Sequence, residues 1–183
     1  MYESFYGLRE KPFSLLPDPE FLYLSEKHRS ALNVLQYGLT GQAGFTVVSG
    51  EVGSGKTTLV RRFLREVDSD TTIGMIHNTH RKLGDILQWI LLAFDLDYRG
   101  KEKVQLYQIF TDFLIEQYAL GRRSVLIIDE AQNLDADTLE ELRMLSNVNA
   151  SKDLVLQIIL VGQPELVDTL SRPDLRQFAQ RIA

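Results

Sequence analysis

The chain has no cysteine. Disulfides and thiolate metal sites are therefore excluded, and the absence is compatible with a cytoplasmic location. Histidine occurs only three times. His77 and His80 bracket the dipeptide "NT", and His28 falls in a predicted helix. No carboxylate or cysteine cluster accompanies them, so they read as surface histidines and not as metal ligands. A long hydrophobic run is also missing. The longest, "ILQWILLAF", is far too short to span a bilayer, and the N-terminus carries charges throughout, without a signal-peptide core. Positive charge is in deficit: 20 basic against 25 acidic residues give a net charge of −5. That argues against coating nucleic acid by bulk charge, though a local basic patch stays open. There are no internal repeats and no low-complexity segment.

What is present is an ordinary globular composition, 44% hydrophobic and 25% charged over 183 residues, enough for one good-sized domain. Residues 1–24 hold Phe5, Tyr6, Phe13, Phe21 and Tyr23, punctuated by Pro12, Pro17 and Pro19, and predict an ordered, extended arm. A core is predicted over residues 25–183. Ser25 is a plausible N-cap for a helix running to about Tyr37, where "GLTGQAG" should break it. Then strands and helices alternate. "FTVVSG" (45–50), "TIGMIHN" (72–78), "SVLIIDE" (124–130) and "LVLQIILVG" (154–162) read as strands. Between them, Leu59 to Val67, Leu83 to Phe94, Leu106 to Tyr118 and Leu139 to Leu145 have helical spacing. Strands that are apolar throughout predict a parallel α/β sheet covered on both faces. Trp89 lies off the apolar stripe of its helix, and Arg61, Arg62 and Arg65 read as a solvated face.

Two motifs carry chemistry. "GEVGSGKT" (50–57) has the phosphate-loop spacing and sits between a strand and a helix. Gly50, Glu51, Val52, Gly53, Ser54 and Gly55 would wrap the phosphates with backbone N–H groups, aided by the helix dipole and by Thr58 in its first turn. Lys56 should reach the β- and γ-phosphates, and Thr57 should ligate Mg²⁺. "SVLIIDEAQ" ends a buried strand in Asp129, expected to hold the magnesium ion directly or through water, and Glu130, placed to activate a water. A carboxylate directly after the magnesium aspartate suits hydrolysis better than a kinase, which must exclude water. Gln163, after the fourth strand, would sit beside Asp129 if those strands are neighbours, within reach of the γ-phosphate or the water.

With these residues in hand, the chain resembles AAA+ ATPases, and among them the ExeA/GspA family of general secretion pathway ATPases. The likeness runs through "GLREKPFSLLPDPEFLYLS", "VVSGEVGSGKTTL", "VLIIDEAQNL", "LQIILVGQPEL" and "LRQFAQRI". It implies a three-layer αβα core with sheet order 5-1-4-3-2, the arm and first helix closing over adenine, and Gln163 as the sensor-1 residue, where many AAA+ proteins carry asparagine. It also implies an arginine finger in "LRQFAQRI" acting on a neighbouring copy's ATP, with Arg181 favoured by position and Arg176 second. Partners would be further copies in a ring or partial ring and a membrane-associated secretion component. The family acts in assembling the outer-membrane secretin, from the cytoplasm or at the inner membrane through regions outside this chain. Family members continue past "AQRI" into a fifth strand and a helical lid, and the longer ones into a membrane span and a peptidoglycan-binding region. The ending "PDLRQFAQRIA" therefore reads as a cut within an amphipathic helix presenting Leu175, Phe178, Ala179 and Ile182, leaving the first strand at an edge and Arg181 disordered or misplaced. The competing expectations are an ATP-dependent DNA-binding regulator of the transposition-helper or initiator type and a P-loop phosphotransferase.

Overall fold

Short β-branched and aliphatic runs, too brief for helices, become the sheet. The computed structural model describes residues 2–8, 22–40, 44–77, 79, 84–150 and 153–182. Its strands are β1 (Phe45–Ser49), β2 (Thr71–Ile76), β3 (Arg123–Ile128), β4 (Asn149–Ala150), β5 (Asp153–Leu154) and β6 (Leu156–Gly162). The main sheet has four parallel strands in the order β1-β6-β3-β2. Since β4 and β5 form a separate antiparallel hairpin, β6 is the fourth strand of the expected 1-4-3-2 arrangement. Leu154, read from the sequence as the start of that strand, belongs to the hairpin instead.

The helices are α1 (Tyr2–Phe5), α2 (Glu26–Thr40), α3 (Lys56–Glu66), α4 (Ile86–Ala93), α5 (Lys103–Ala119), α6 (Ala136–Leu145), α7 (Pro164–Leu170) and α8 (Arg176–Ala179). The two-residue period of the strands sorts their side chains into two cores. Val125, Ile127, Ile159 and Val161 meet Leu35 of α2 and Leu59 and Phe63 of α3 on one face. Leu126, Ile128, Ile158 and Leu160 meet Ile90, Phe110, Leu142, Leu166 and Phe178 on the other. No helix among the described residues is long and apolar enough to cross a membrane.

The first helix departs from the sequence reading: α2 runs through Gly38 to Thr40. Gly38 is there for close approach, because a methyl group at that position would collide with the Oγ1 of buried Thr46. The helix ends where distant donors meet its last carbonyls. Gln157 Nε2 donates to Gly38 O (3.0 Å) and Leu39 O (2.9 Å), and Arg123 Nη1 to Leu39 O (3.2 Å), which satisfies groups a helix end leaves orphaned. Gly38→Ala is expected to cost about 1–3 kcal/mol through overpacking, offset by at most about 1 kcal/mol of helix propensity. The check is urea unfolding, with a lowered midpoint at unchanged slope.

The ends depart as well. Tyr2–Phe5 is a helical turn and not extended chain, with Phe5 81% and Tyr23 82% exposed. Phe13, Phe21 and the three arm prolines, like Asn78, His80 and Leu83, lie outside the described residues. At the other end, a 3₁₀ turn (Pro173–Leu175) leads into α8, which stops at Ala179. Leu175 and Phe178 are buried, Phe178 against Phe45 with ring centroids 4.2 Å apart, but Ala179 faces solvent. The helix stops because the chain turns to bring Ile182 alongside β1. Ile182 forms a parallel bridge with Phe45, whose N–H donates to Arg181 O at 3.2 Å. This contact lies on the side of β1 away from β6, where the expected order places strand 5.

Candidate nucleotide site

Ser49 pairs with Gly162, and Ile128 with Leu160, so β1, β3 and β6 deliver their next residues to one edge of the sheet. That is the carboxyl edge, where open α/β sheets bind ligands. The loop after β1 is pinned by Gly50 N–H to Gly162 O (3.1 Å) and Ser54 N–H to Glu51 O (3.1 Å). Gly53 (φ 75°) and Gly55 (φ 87°) take left-handed conformations that let the loop curl into the N-terminus of α3. Glu51 and Val52 point to solvent, while Lys56, Thr57 and Thr58 are half-buried. Lys56 Nζ lies across the loop, donating to Gly50 O (2.7 Å) and Glu51 O (2.9 Å).

From α3, Thr57 Oγ1 donates to Asp129 Oδ2 at 3.1 Å, and Asp129 Oδ1 accepts the Glu130 N–H at 2.9 Å. Asp129 is buried, in a turn after β3 and not within the strand. Neighbouring ligands of an octahedral Mg²⁺ at 2.0–2.1 Å lie about 2.9 Å apart, so the Thr57–Asp129 oxygen pair fits that ion. No group of three or more His, Cys, Asp or Glu side chains able to hold a metal is found among the described residues.

Glu130 adopts φ 55°, ψ 37°, a left-handed conformation costing roughly 1–3 kcal/mol for a residue with a side chain. The surroundings impose it: Thr79 Oγ1 donates to Glu130 O (2.5 Å), and Asn133 Nδ2 donates to Thr79 O (2.7 Å). The Glu130 carboxylate receives two amides on Oε2, from Gln132 Nε2 (2.6 Å) and Gln163 Nε2 (3.3 Å). Gln132 Oε1 in turn accepts the Gln163 N–H at 3.0 Å, which fixes the orientation of that amide. The adjacency of β3 and β6 thus brings Gln163 to Glu130. Gln132, which sequence reasoning passed over, joins them. Its one signal is its position two residues beyond Glu130, in the 3₁₀ turn Ala131–Asn133.

His28 is the second residue passed over. It is not an ordinary surface histidine: its Nε2 lies 2.8 Å from Ser54 O in the phosphate loop. A cleft lined by Lys27, Ala31, Val34 and Val47 runs between α2 and β1 up to Ser49, the residue before the loop. The arginines lie elsewhere. Arg181 is hydrogen-bonded through Nη1 to Ser146 Oγ (3.2 Å), and Arg176 is exposed. The Arg181 backbone adjoins Phe45, at the opposite end of the five-residue β1 from the loop, a separation of roughly 16 Å.

The AAA domain family model matches residues 39–170. General secretion pathway protein A of Aeromonas hydrophila is 44% identical over all 183 residues, which span 34% of that protein; the chain is thus about a third of the length of this curated relative. Among solved structures, the Aeropyrum pernix ORC2 protein in its ADP form superposes with a TM-score of 0.68 at 19% identity, covering 93% of this chain and 49% of that one. Cdc6p from Pyrobaculum aerophilum gives 0.67 at 17% identity, covering 94% and 47%. These two show the shared fold. With the phosphate loop, the carboxylates and the sheet order in place, the chain belongs to the AAA domain family, as an ExeA/GspA-like AAA ATPase domain related to general secretion pathway protein A.

Proposed function

We propose that this domain binds ATP with Mg²⁺ at the carboxyl edge of its sheet, hydrolyses it, and spends the turnover on assembling or remodelling a cell-envelope secretion complex. The observation that carries hydrolysis is the Glu130 carboxylate, held by Gln132 and Gln163 one residue beyond the Thr57–Asp129 pair. The N–H groups of residues 50–58 other than those of Gly50 and Ser54, which donate to Gly162 O and Glu51 O, would hold the phosphates, with Lys56 leaving its loop carbonyls for the β- and γ-phosphates. Thr57 and Asp129 would hold Mg²⁺, which neutralises phosphate charge when bound. Glu130 would take the proton of the attacking water, and Gln163, already in contact with Glu130, would orient that water or the γ-phosphate. Leu22 and His28, beside Gly55, support a role for residues 1–24 and the start of α2 around the nucleotide.

Arg181, with Arg176 as second choice, would complete a neighbouring copy's site, since Arg181 sits at the far end of β1 from its own phosphate loop. The secretion role rests on the relatedness to general secretion pathway protein A. It carries with it a cytoplasmic placement, at the inner membrane through regions outside this chain, and a membrane-associated partner.

The test is phosphate release from ATP against protein concentration, with Mg²⁺ or with EDTA. Release should need Mg²⁺, rise per molecule with concentration, and lose that rise in Arg181→Ala with nucleotide affinity retained. Release no greater than that of Glu130→Gln at every concentration would overturn the hydrolysis reading. ATP-dependent, salt-sensitive retention on DNA would overturn the secretion reading in favour of a nucleic-acid client.

A further inference from the structure

We infer that His28 is a positioning residue of the phosphate loop: its imidazole holds the Ser54 carbonyl outward and so turns the Gly55 N–H towards the nucleotide's phosphates. This rests on the nucleotide-site reading above. The ring is fixed at both ends. Nε2 lies 2.8 Å from Ser54 O, and Nδ1 lies 2.8 Å from Ser25 Oγ. A carbonyl oxygen can only accept, so Nε2 carries the proton. Ser25 then donates its hydroxyl to Nδ1 while its oxygen accepts the His28 N–H at 3.3 Å. With the proton on Nε2, Nδ1 is the ring's acceptor, which is the role the Ser25 hydroxyl requires of it.

The peptide bond supplies the rest. It is planar and trans, so the Ser54 C=O and the Gly55 N–H point in opposite directions. Holding the carbonyl against α2 aims the N–H away from α2. Among the described residues, the Gly55 N–H has no protein acceptor. Gly55 is also the N-cap of α3, with φ 87°, so its N–H belongs to the group at the helix start that attracts anions. The ring packs closely on this glycine: a Cβ there would lie 3.3 Å from His28 Nε2 and 3.8 Å from Leu22 Cδ1. A loop of glycines has many conformations to lose on closing around a phosphate. An anchor from α2 that selects one peptide orientation in advance removes part of that loss.

The experiment compares His28→Ala, His28→Gln and His28→Asn for ADP affinity by calorimetry, and for thermal unfolding without nucleotide. Glutamine can place an amide N–H where Nε2 was; asparagine is too short. ADP affinity should fall about tenfold in the alanine and asparagine variants and stay within about threefold of wild type with glutamine. The nucleotide-free unfolding midpoints should be alike for glutamine and asparagine. On ADP addition the Gly55 amide proton should move downfield in wild type and His28→Gln, but not in His28→Ala. Alanine binding ADP like wild type, or glutamine no better than asparagine, would overturn the inference and leave the nucleotide reading standing. A wild-type domain that binds no ADP would overturn both.

Discussion

Lys56→Ala is expected to lose nucleotide binding, with ADP affinity down by at least about a hundredfold, or about 3 kcal/mol. Its ammonium is the one lysine charge within the loop, and it now rests on the carbonyls of Gly50 and Glu51. Those carbonyls accept from the ammonium but cannot themselves attract a phosphate. Removing the charge would take away the proposed partner of the β-phosphate of ADP, and of the β- and γ-phosphates of ATP, and leave them facing the loop's own oxygens. The backbone N–H groups and the helix dipole remain but contribute less. Because Lys56 is half-buried and its side chain bridges only the loop, thermal stability without nucleotide should change little. Calorimetry with ADP and Mg²⁺ is the measurement. Unchanged affinity would remove Lys56 from the phosphate site.

Glu130→Gln should do the opposite: bind ATP and nearly stop turning it over, with the rate down by at least about a hundredfold. The substitution is close to isosteric. A glutamine carbonyl can still accept from Gln132, so the turn at φ 55° and the contacts through Thr79 and Asn133 should survive. What is lost is the basic oxygen that would take water's proton. Single-turnover phosphate release beside ADP and ATP affinity separates the two effects. Turnover that persists with binding intact would exclude Glu130 as the water-activating group.

Much of this was legible in the sequence because it was local or periodic. Each strand of the main sheet was marked by an apolar run, and the phosphate loop by its spacing. The order of β1, β6, β3 and β2 followed from the family resemblance. Strand ends read less well. "SVLIIDE" looked continuous, yet β3 stops at Ile128: Asp129 still donates its N–H to Ile76 O, and the chain then turns at Glu130, φ 55°. Gly38 looked like a helix stop because a glycine's local preference is visible and its contact with Thr46 is not. The true end of α2 depends on Gln157 and Arg123, more than eighty residues away in the chain. Gln132 and His28 escaped for the same reason. Each acts through a partner on another element, and neither side chain belongs to a spacing rule.

The bridge between Ile182 and Phe45 has a mechanical consequence. β1 is fully extended chain held by β6 along its length, so it cannot stretch. Its last residue, Ser49, leads directly into the phosphate loop, and its first is tied through backbone to the residue pair containing Arg181. A shift of one end along the strand axis must therefore appear at the other. If Arg181 completes a neighbouring copy's site as proposed, the state of a subunit's own loop and the position of that arginine would be set by the same rod.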